Sequence, residues 1–194
     1  MELEIVRYPH PTLRFKSKPI CRVDSELKEI AAQMLDLMYE AEGVGLAANQ
    51  VDLPLRMFVV NASGQKGEGE ELVLINPELQ FPKGNETAQE GCLSLPGLYG
   101  NVKRPKTIRL SAYDLQGNPI ECEVDGFLSR VLQHENDHLD GVLFMDRMTE
   151  EAVRELEDEL DEFETDFRSK QAAGAIESDE ALALGLNRWL EKYT

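Results

Sequence analysis

The sequence predicts an α+β fold: antiparallel β-sheets packed around a central buried helix, preceded by an N-terminal helix and followed by a helical C-terminal extension. Three observations carry this prediction. Apolar residues recur at helical spacing between residues 24 and 42. Short strand-forming runs follow, the last two joined by the turn Gln116-Gly117-Asn118. The next segment is apolar on several sides, through Phe127, Leu128, Val131, Leu132 and Leu139, as a helix enclosed by the rest of the fold would be.

In chain order, prolines at 9, 11 and 19 predict an irregular start. A helix then opens at Asp24 or Ser25. Leu27, Ile30, Ala31, Met34, Leu37, Met38 and Ala41 form one stripe, and Gly43 lies just past the end. The methionines read as core filling. Strands are expected at 57–61, 72–81, 107–115 and 120–124, with the polar stretch SGQKGEGE as a loop. The central helix begins near Gly126 and stops at Asp140-Gly141. Residues 149–167 carry Val153, Leu156, Leu160, Phe163 and Phe167 at helical spacing, and from 150 to 166 ten acidic residues face one arginine. A last helix is expected at 180–193 with Leu182, Leu186, Trp189, Leu190 and Tyr193 on one side. Both tail helices are expected to pack on the body or on each other. The chain thus divides into a body, 1–148, and an acidic extension, 149–194.

A length of 194 residues supports a sizeable core. The net charge of -17 argues against nucleic acid, whose phosphates attract Lys and Arg, and against an anionic membrane surface. No stretch has the apolar length of a membrane span, and MELEIVRYPHP lacks the apolar core of a signal peptide. The expected compartment is the cytoplasm. Three scattered cysteines, Cys21, Cys92 and Cys122, suit reducing surroundings and leave thiols able to bind metal.

The chemistry begins in QHENDH, residues 133–138, which holds two of the chain's three histidines. On a helix, His134 and His138 stand one above the other, so their imidazoles can meet at one ion, with Glu135 beside them as a general base. A catalytic centre of this kind usually takes a third protein ligand. A glutamate from 150–166 would make the site a gluzincin-type peptidase. Cys92, in the Gly- and Pro-punctuated loop QEGCLSLPG, would supply a thiolate. Spacing alone does not choose between them.

GVGLAANQ (43–50), EGCLSLP (90–96) and QHENDH, in this order, closely resemble the three signature motifs of the peptide deformylases. YPHPTLR (8–14) and GNVKRP (100–105) resemble that family too, so the likeness spans roughly residues 1 to 148. The resemblance implies that Cys92, His134 and His138 bind one divalent metal, that Glu135 is the general acid and base, and that the Gln50 side chain and Leu93 backbone amide stabilise an oxyanion. Gly43, Val44 and Gly45 would form an edge along which the peptide adds as a strand. Val44, Phe127, Val131 and Leu93 are candidates for the methionine pocket, with ordinary core packing as the alternative. Glu90 is expected to brace the cysteine loop through Arg104, while Asp137 reads equally well as a surface charge. Some deformylases have an arginine where this chain has Tyr99, which puts a charge contact there in doubt.

The implied reaction is hydrolysis of the N-terminal formamide of newly made, N-formylmethionyl proteins, releasing formate. The implied native ion is Fe2+, with Zn2+, Ni2+ or Co2+ able to substitute. Some deformylases dock on the ribosome through a basic C-terminal helix. The acidic extension is unsuited to that route, although ribosome contact by another surface stays open. Nucleic acid and membrane are not expected as direct partners, and a homodimer through the last helix is an alternative to packing on the body. A metal-binding or acidic interaction module without catalysis is the remaining rival.

Overall fold

The computed structural model describes residues 3–194. In chain order the elements are α1 (Ser25–Glu40), β1 (Gly45–Ala47), β2 (Met57–Val60), β3 (Leu72–Lys83), β4 (Glu86–Cys92), β5 (Leu95–Arg104), β6 (Thr107–Tyr113), β7 (Pro119–Asp125), α2 (Gly126–Leu139), α3 (Glu150–Arg154), α4 (Glu157–Ala172) and α5 (Asp179–Tyr193). One antiparallel sheet has the order β1-β2-β3-β6-β7, and β4 and β5 form a second, two-stranded sheet.

Asp24 caps α1 by accepting from the Leu27 amide at 3.0 Å, and Leu27, Ile30, Ala31, Met34 and Met38 are buried along one face. The helix ends with Glu42 N donating to Tyr39 O and Gly43 N to Met38 O, the paired bonds that close a helix C-terminus. The left-handed residue in this cap is Glu42, at φ 56°, rather than Gly43. Gly43 is small for another reason, because a Cβ there would stand 2.8 Å from Leu93 Cδ1.

Helix α2 enters from β7 through Gly126 at φ 60° and is enclosed as predicted. Val131, Leu132 and Leu139 pack with Ala47, Phe58, Val60, Leu74, Ile108, Leu110, Ala112 and Val124 from all five strands of the larger sheet. Its opposite side meets the β4–β5 hairpin and Phe144. Gly141 ends the helix at φ 74°, and a Cβ there would collide with the Arg14 backbone. Phe127 departs from its predicted core position: it is 57% exposed, on the first turn of α2, where the helix has emerged from the sheet.

The β4–β5 hairpin was not predicted, and its composition explains why. Along β5 the inward positions Leu98, Gly100, Val102 and Arg104 alternate with exposed Tyr99, Asn101 and Lys103. Two of the four inward residues are thus a glycine and an arginine. At Gly100 a Cβ would run into the Met148 side chain, which would have to move aside.

The extension packs on the body. Val153, Leu156, Leu160 and Phe163 lie against the cluster of Leu13, Leu95, Leu98 and Phe144. The single helix predicted for 149–167 is interrupted at Glu155–Leu156 and then runs on to Ala172. The last helix appears nearly as predicted. Tyr193, fully buried, joins the α1 cluster, its hydroxyl donates to Asp24 Oδ1 at 2.9 Å, and its carbonyl accepts from Cys21 N at 2.8 Å.

Candidate metal centre

Helix α2 stacks His134 and His138 four residues apart with ring centroids 4.9 Å apart and Nε2 atoms 3.2 Å apart. Cys92 ends β4 immediately before the two-residue turn Leu93-Ser94, and its Sγ lies 3.3 Å from His138 Nε2. The three donor atoms lie within 4.8 Å of one another, and theirs is the cluster among the described residues that could hold an ion. A tetrahedral ion with one sulfur and two nitrogen ligands needs donor separations of about 3.3 to 3.6 Å. The residues present therefore fit a divalent metal. No glutamate of 150–166 joins them. One of them, Glu164, accepts instead from the Tyr8 hydroxyl at 2.7 Å.

The histidines are held by different means. His134 Nδ1 meets Glu90 Oε2 at 3.0 Å, which turns Nε2 toward the donor cluster. The His138 carbonyl accepts from the Asn49 side chain. Burial lowers the basicity of both rings. For His134, contacts with Cys92 and Glu90 outweigh it and raise the pKa to about 10. For His138, burial and the neighbouring His134 act together and push it well below its ordinary value.

Glu90 is 7% exposed and accepts from Arg104 Nε at 2.7 Å, Arg104 Nη2 at 2.9 Å and Arg130 Nη1 at 2.6 Å. Burial alone would raise its pKa, but His134 and Arg104 bring it down to about 2. The expected contact between Glu90 and Arg104 is thus present. Asp137 is not a surface charge. It is 6% exposed, accepts from Arg104 Nη1 at 2.7 Å and from Arg147 Nη2 at 2.6 Å, and so continues the chain of ion pairs away from His134.

Glu135 is also buried, yet its Oε2 has no hydrogen-bond partner among the described residues. Burial pushes its carboxyl up to about 7. Gln50 lies in a short 3-10 turn, Ala48–Val51, with Oε1 accepting from Ala47 N at 2.9 Å. That bond fixes the amide orientation, so Nε2 faces Ser94 Oγ at 3.2 Å and Cys92 Sγ at 3.5 Å.

A cleft of about 630 Å³ opens on these groups. Every predicted site residue but His138 lines it: Gly43, Val44, Gly45, Gln50, Cys92, Leu93, Phe127, Val131, His134 and Glu135. His138 lies behind, 1% exposed. The exposure of Phe127 and Tyr99 places two aromatic rings on the cleft surface rather than in the core. Sequence reasoning missed Arg130, which also lines the cleft, and Asn49. Arg130 lies four residues before His134 on α2, the spacing that could have exposed it.

The polypeptide deformylase family matches residues 2–154. A peptide deformylase of Rhodopirellula baltica is 60% identical over 194 residues, which is 100% of this chain and 96% of that protein. One of Chlorobaculum tepidum is 42% identical over 190 residues, covering 97% of each. Among solved structures, Arabidopsis thaliana peptide deformylase 1B in complex with an inhibitor has a TM-score of 0.85 at 40% identity, covering 92% of this chain and 99% of that one.

Proposed function

The chain belongs to the polypeptide deformylase family, and from that premise we propose how its own residues divide the work. It is a metal-dependent hydrolase that removes the formyl group from the N-terminal formylmethionine of newly synthesised proteins and releases formate. Cys92, His134 and His138 would hold the ion. When bound, such an ion acidifies water and polarises a carbonyl.

Glu135 takes the proton from the attacking water and returns it to the departing amine. The observation that carries this assignment is a buried carboxylate with an unengaged oxygen and a pKa near 7, so that it accepts and donates protons readily at neutral pH. Gln50 Nε2 and the Leu93 amide donate to the oxygen on which negative charge develops. Gln50 is suited because its other amide atom is already anchored to Ala47 N. The peptide lies along Gly43, Val44 and Gly45, and its methionine side chain occupies the cleft beside Val44, Phe127 and Val131.

Ferrous iron is the native ion in this reading, with zinc, nickel or cobalt as substitutes, since one thiolate and two imidazoles suit each of them. The catalytic body is 1–148 and the extension 149–194. The site of action is the cytoplasm, where nascent chains are available, and among the described residues no helix is long and apolar enough to cross a membrane. Ribosome contact, if made, uses a surface other than the acidic α4.

Anaerobically purified protein, assayed for formate release from formyl-Met-Ala-Ser with metal analysis in parallel, tests these assignments. Cys92→Ala is expected to lose the ion, and Glu135→Ala to keep it while activity falls by about a thousandfold or more. A metal-replete Cys92→Ala, or an active Glu135→Ala, would overturn the corresponding role.

A further inference from the structure

The loop between β2 and β3 is organised by one side chain. Asn61, its first residue, is fully buried. Its Oδ1 accepts from Ser63 N at 3.0 Å and Ser63 Oγ at 2.8 Å, while Nδ2 donates to Glu68 O at 2.7 Å and to the Tyr39 hydroxyl at 2.8 Å. The Asn61 amide therefore closes residues 61–68 on themselves and ties them to α1. Tyr39 extends the link by donating to Glu71 Oε1 at 2.8 Å, and Lys66 pairs with Asp36 of α1 at 2.6 Å. Gly69 is small because a Cβ would stand 2.7 Å from Asn61 Oδ1.

The same loop reaches the cleft. Strand β1 pairs with β2 for three residues only, the outermost pair being Gly45 with Val60. Beyond it the Asn61 backbone N–H donates to Val44 O at 3.0 Å, which adds one anchor where the ladder ends. A Cβ built on Gly64 would lie 3.4 Å from Val44 Cγ1 and 3.9 Å from Gly43 O, so the loop tip also rests against this end of the strand. On its other side β1 has no strand neighbour among the described residues, and Gly43, Val44 and Gly45 line the cleft.

We propose that Asn61 is a positioning residue for peptide binding. By fixing the 61–71 loop against Val44 it holds the cleft edge in place for the substrate backbone beyond the first residue, an inference that rests on the reading that the peptide lies along Gly43 to Gly45. Its effect belongs to binding and not to the chemical step, because Asn61 touches none of the reacting groups.

The test compares formyl-Met-Ala-Ser with formyl-methionine amide, which has no second residue to pair. In the unmodified protein the tripeptide should have the lower KM. Equal values would remove the strand reading itself. With that difference present, Asn61→Ala should raise the KM for the tripeptide about fivefold, leave kcat within about twofold, and leave the KM for the amide unchanged. An unchanged tripeptide KM, or an equal loss on both substrates, overturns the role of Asn61 alone. Should Asn61→Ala fail to fold, Tyr39→Phe removes one bond to Asn61 together with the bond to Glu71 and should give the same selective rise, about twofold. Its absence would count against the proposal.

Discussion

Gly45 and Glu135 meet at the floor of the cleft so closely that a Cβ added to the glycine would stand 2.8 Å from the carboxyl carbon of the glutamate. Real Cβ contacts of that length do not occur, so Gly45→Ala must displace Glu135 or the strand. The displaced group is the proposed proton carrier, and misplacing such a group by about 1 Å commonly costs on the order of a hundredfold in rate. Gly45→Ala is therefore expected to lower kcat about a hundredfold while metal content stays constant. Full activity in this variant would show that the position of Glu135 is not critical.

Glu90 answers to two arginines and to His134, a proposed metal ligand, so its loss should register in two measurements. Glu90→Ala leaves the buried Arg130 without its carboxylate partner and frees His134 Nδ1. Removing one member of a buried ion pair typically costs about 3 to 5 kcal/mol, and loss of a group that orients a ligand weakens metal affinity about 10- to 100-fold. Arg104 keeps Asp137, which should moderate the first figure. Thermal melts and competition with a chelator check the two effects. A variant that melts early but holds its metal as tightly as before would make Glu90 a purely structural residue.

How far the sequence anticipates this site depends on where each residue's partners lie. Helix α1 was readable because its stripe and its cap at Asp24 are local features. Helix α2 was readable because the two histidines fall on one face. The β4–β5 hairpin was not, since Glu90, Gly100 and Arg104 face inward for reasons found elsewhere in the chain: His134 and Arg130 for Glu90, Met148 for Gly100, Asp137 for Arg104. Asp137 read equally well as a surface charge because its partners, buried Arg104 and exposed Arg147, are 33 and 10 residues away. Cys92 could not be chosen over a downstream glutamate by spacing; what brings it into the donor cluster is the fold, which ends β4 against His138.

Two tyrosines predict how stability responds to alkali. Burial, then the hydrogen bond to Asp24, raises Tyr193 to about 12, and burial, then Glu164, raises Tyr8 to about 12. A tyrosine whose folded pKa exceeds its unfolded value of about 10 contributes stability fully below pH ~10, and that contribution disappears as the pH climbs through 12. Urea midpoints should fall between pH 10 and 12. In Tyr193→Phe that decline should be shallower, because a group that cannot ionise no longer penalises the folded state. An identical slope in the variant would assign the alkaline loss to other groups.

The last helix supplies the final prediction. Its apolar face is already used within the chain: Leu182 and Leu186 are buried and Tyr193 reaches the α1 cluster, whereas Leu184 is its single large exposed apolar residue. A face covered in this way has little left for a second copy, so light scattering on the full chain should return the monomer mass of 21.9 kDa. Truncation after Lys170 removes those contacts together with the Tyr193–Asp24 bond. Fully burying each large apolar side chain contributes about 1.5 to 3 kcal/mol, so the loss should be on the order of 5 kcal/mol, a sizeable part of a typical domain's stability. The truncated chain should melt markedly earlier and, below its melting point, still release formate, since none of the residues that line the cleft lies beyond Glu135. A dimer mass for the full chain that falls to a monomer on truncation would instead mean that α5 pairs between copies.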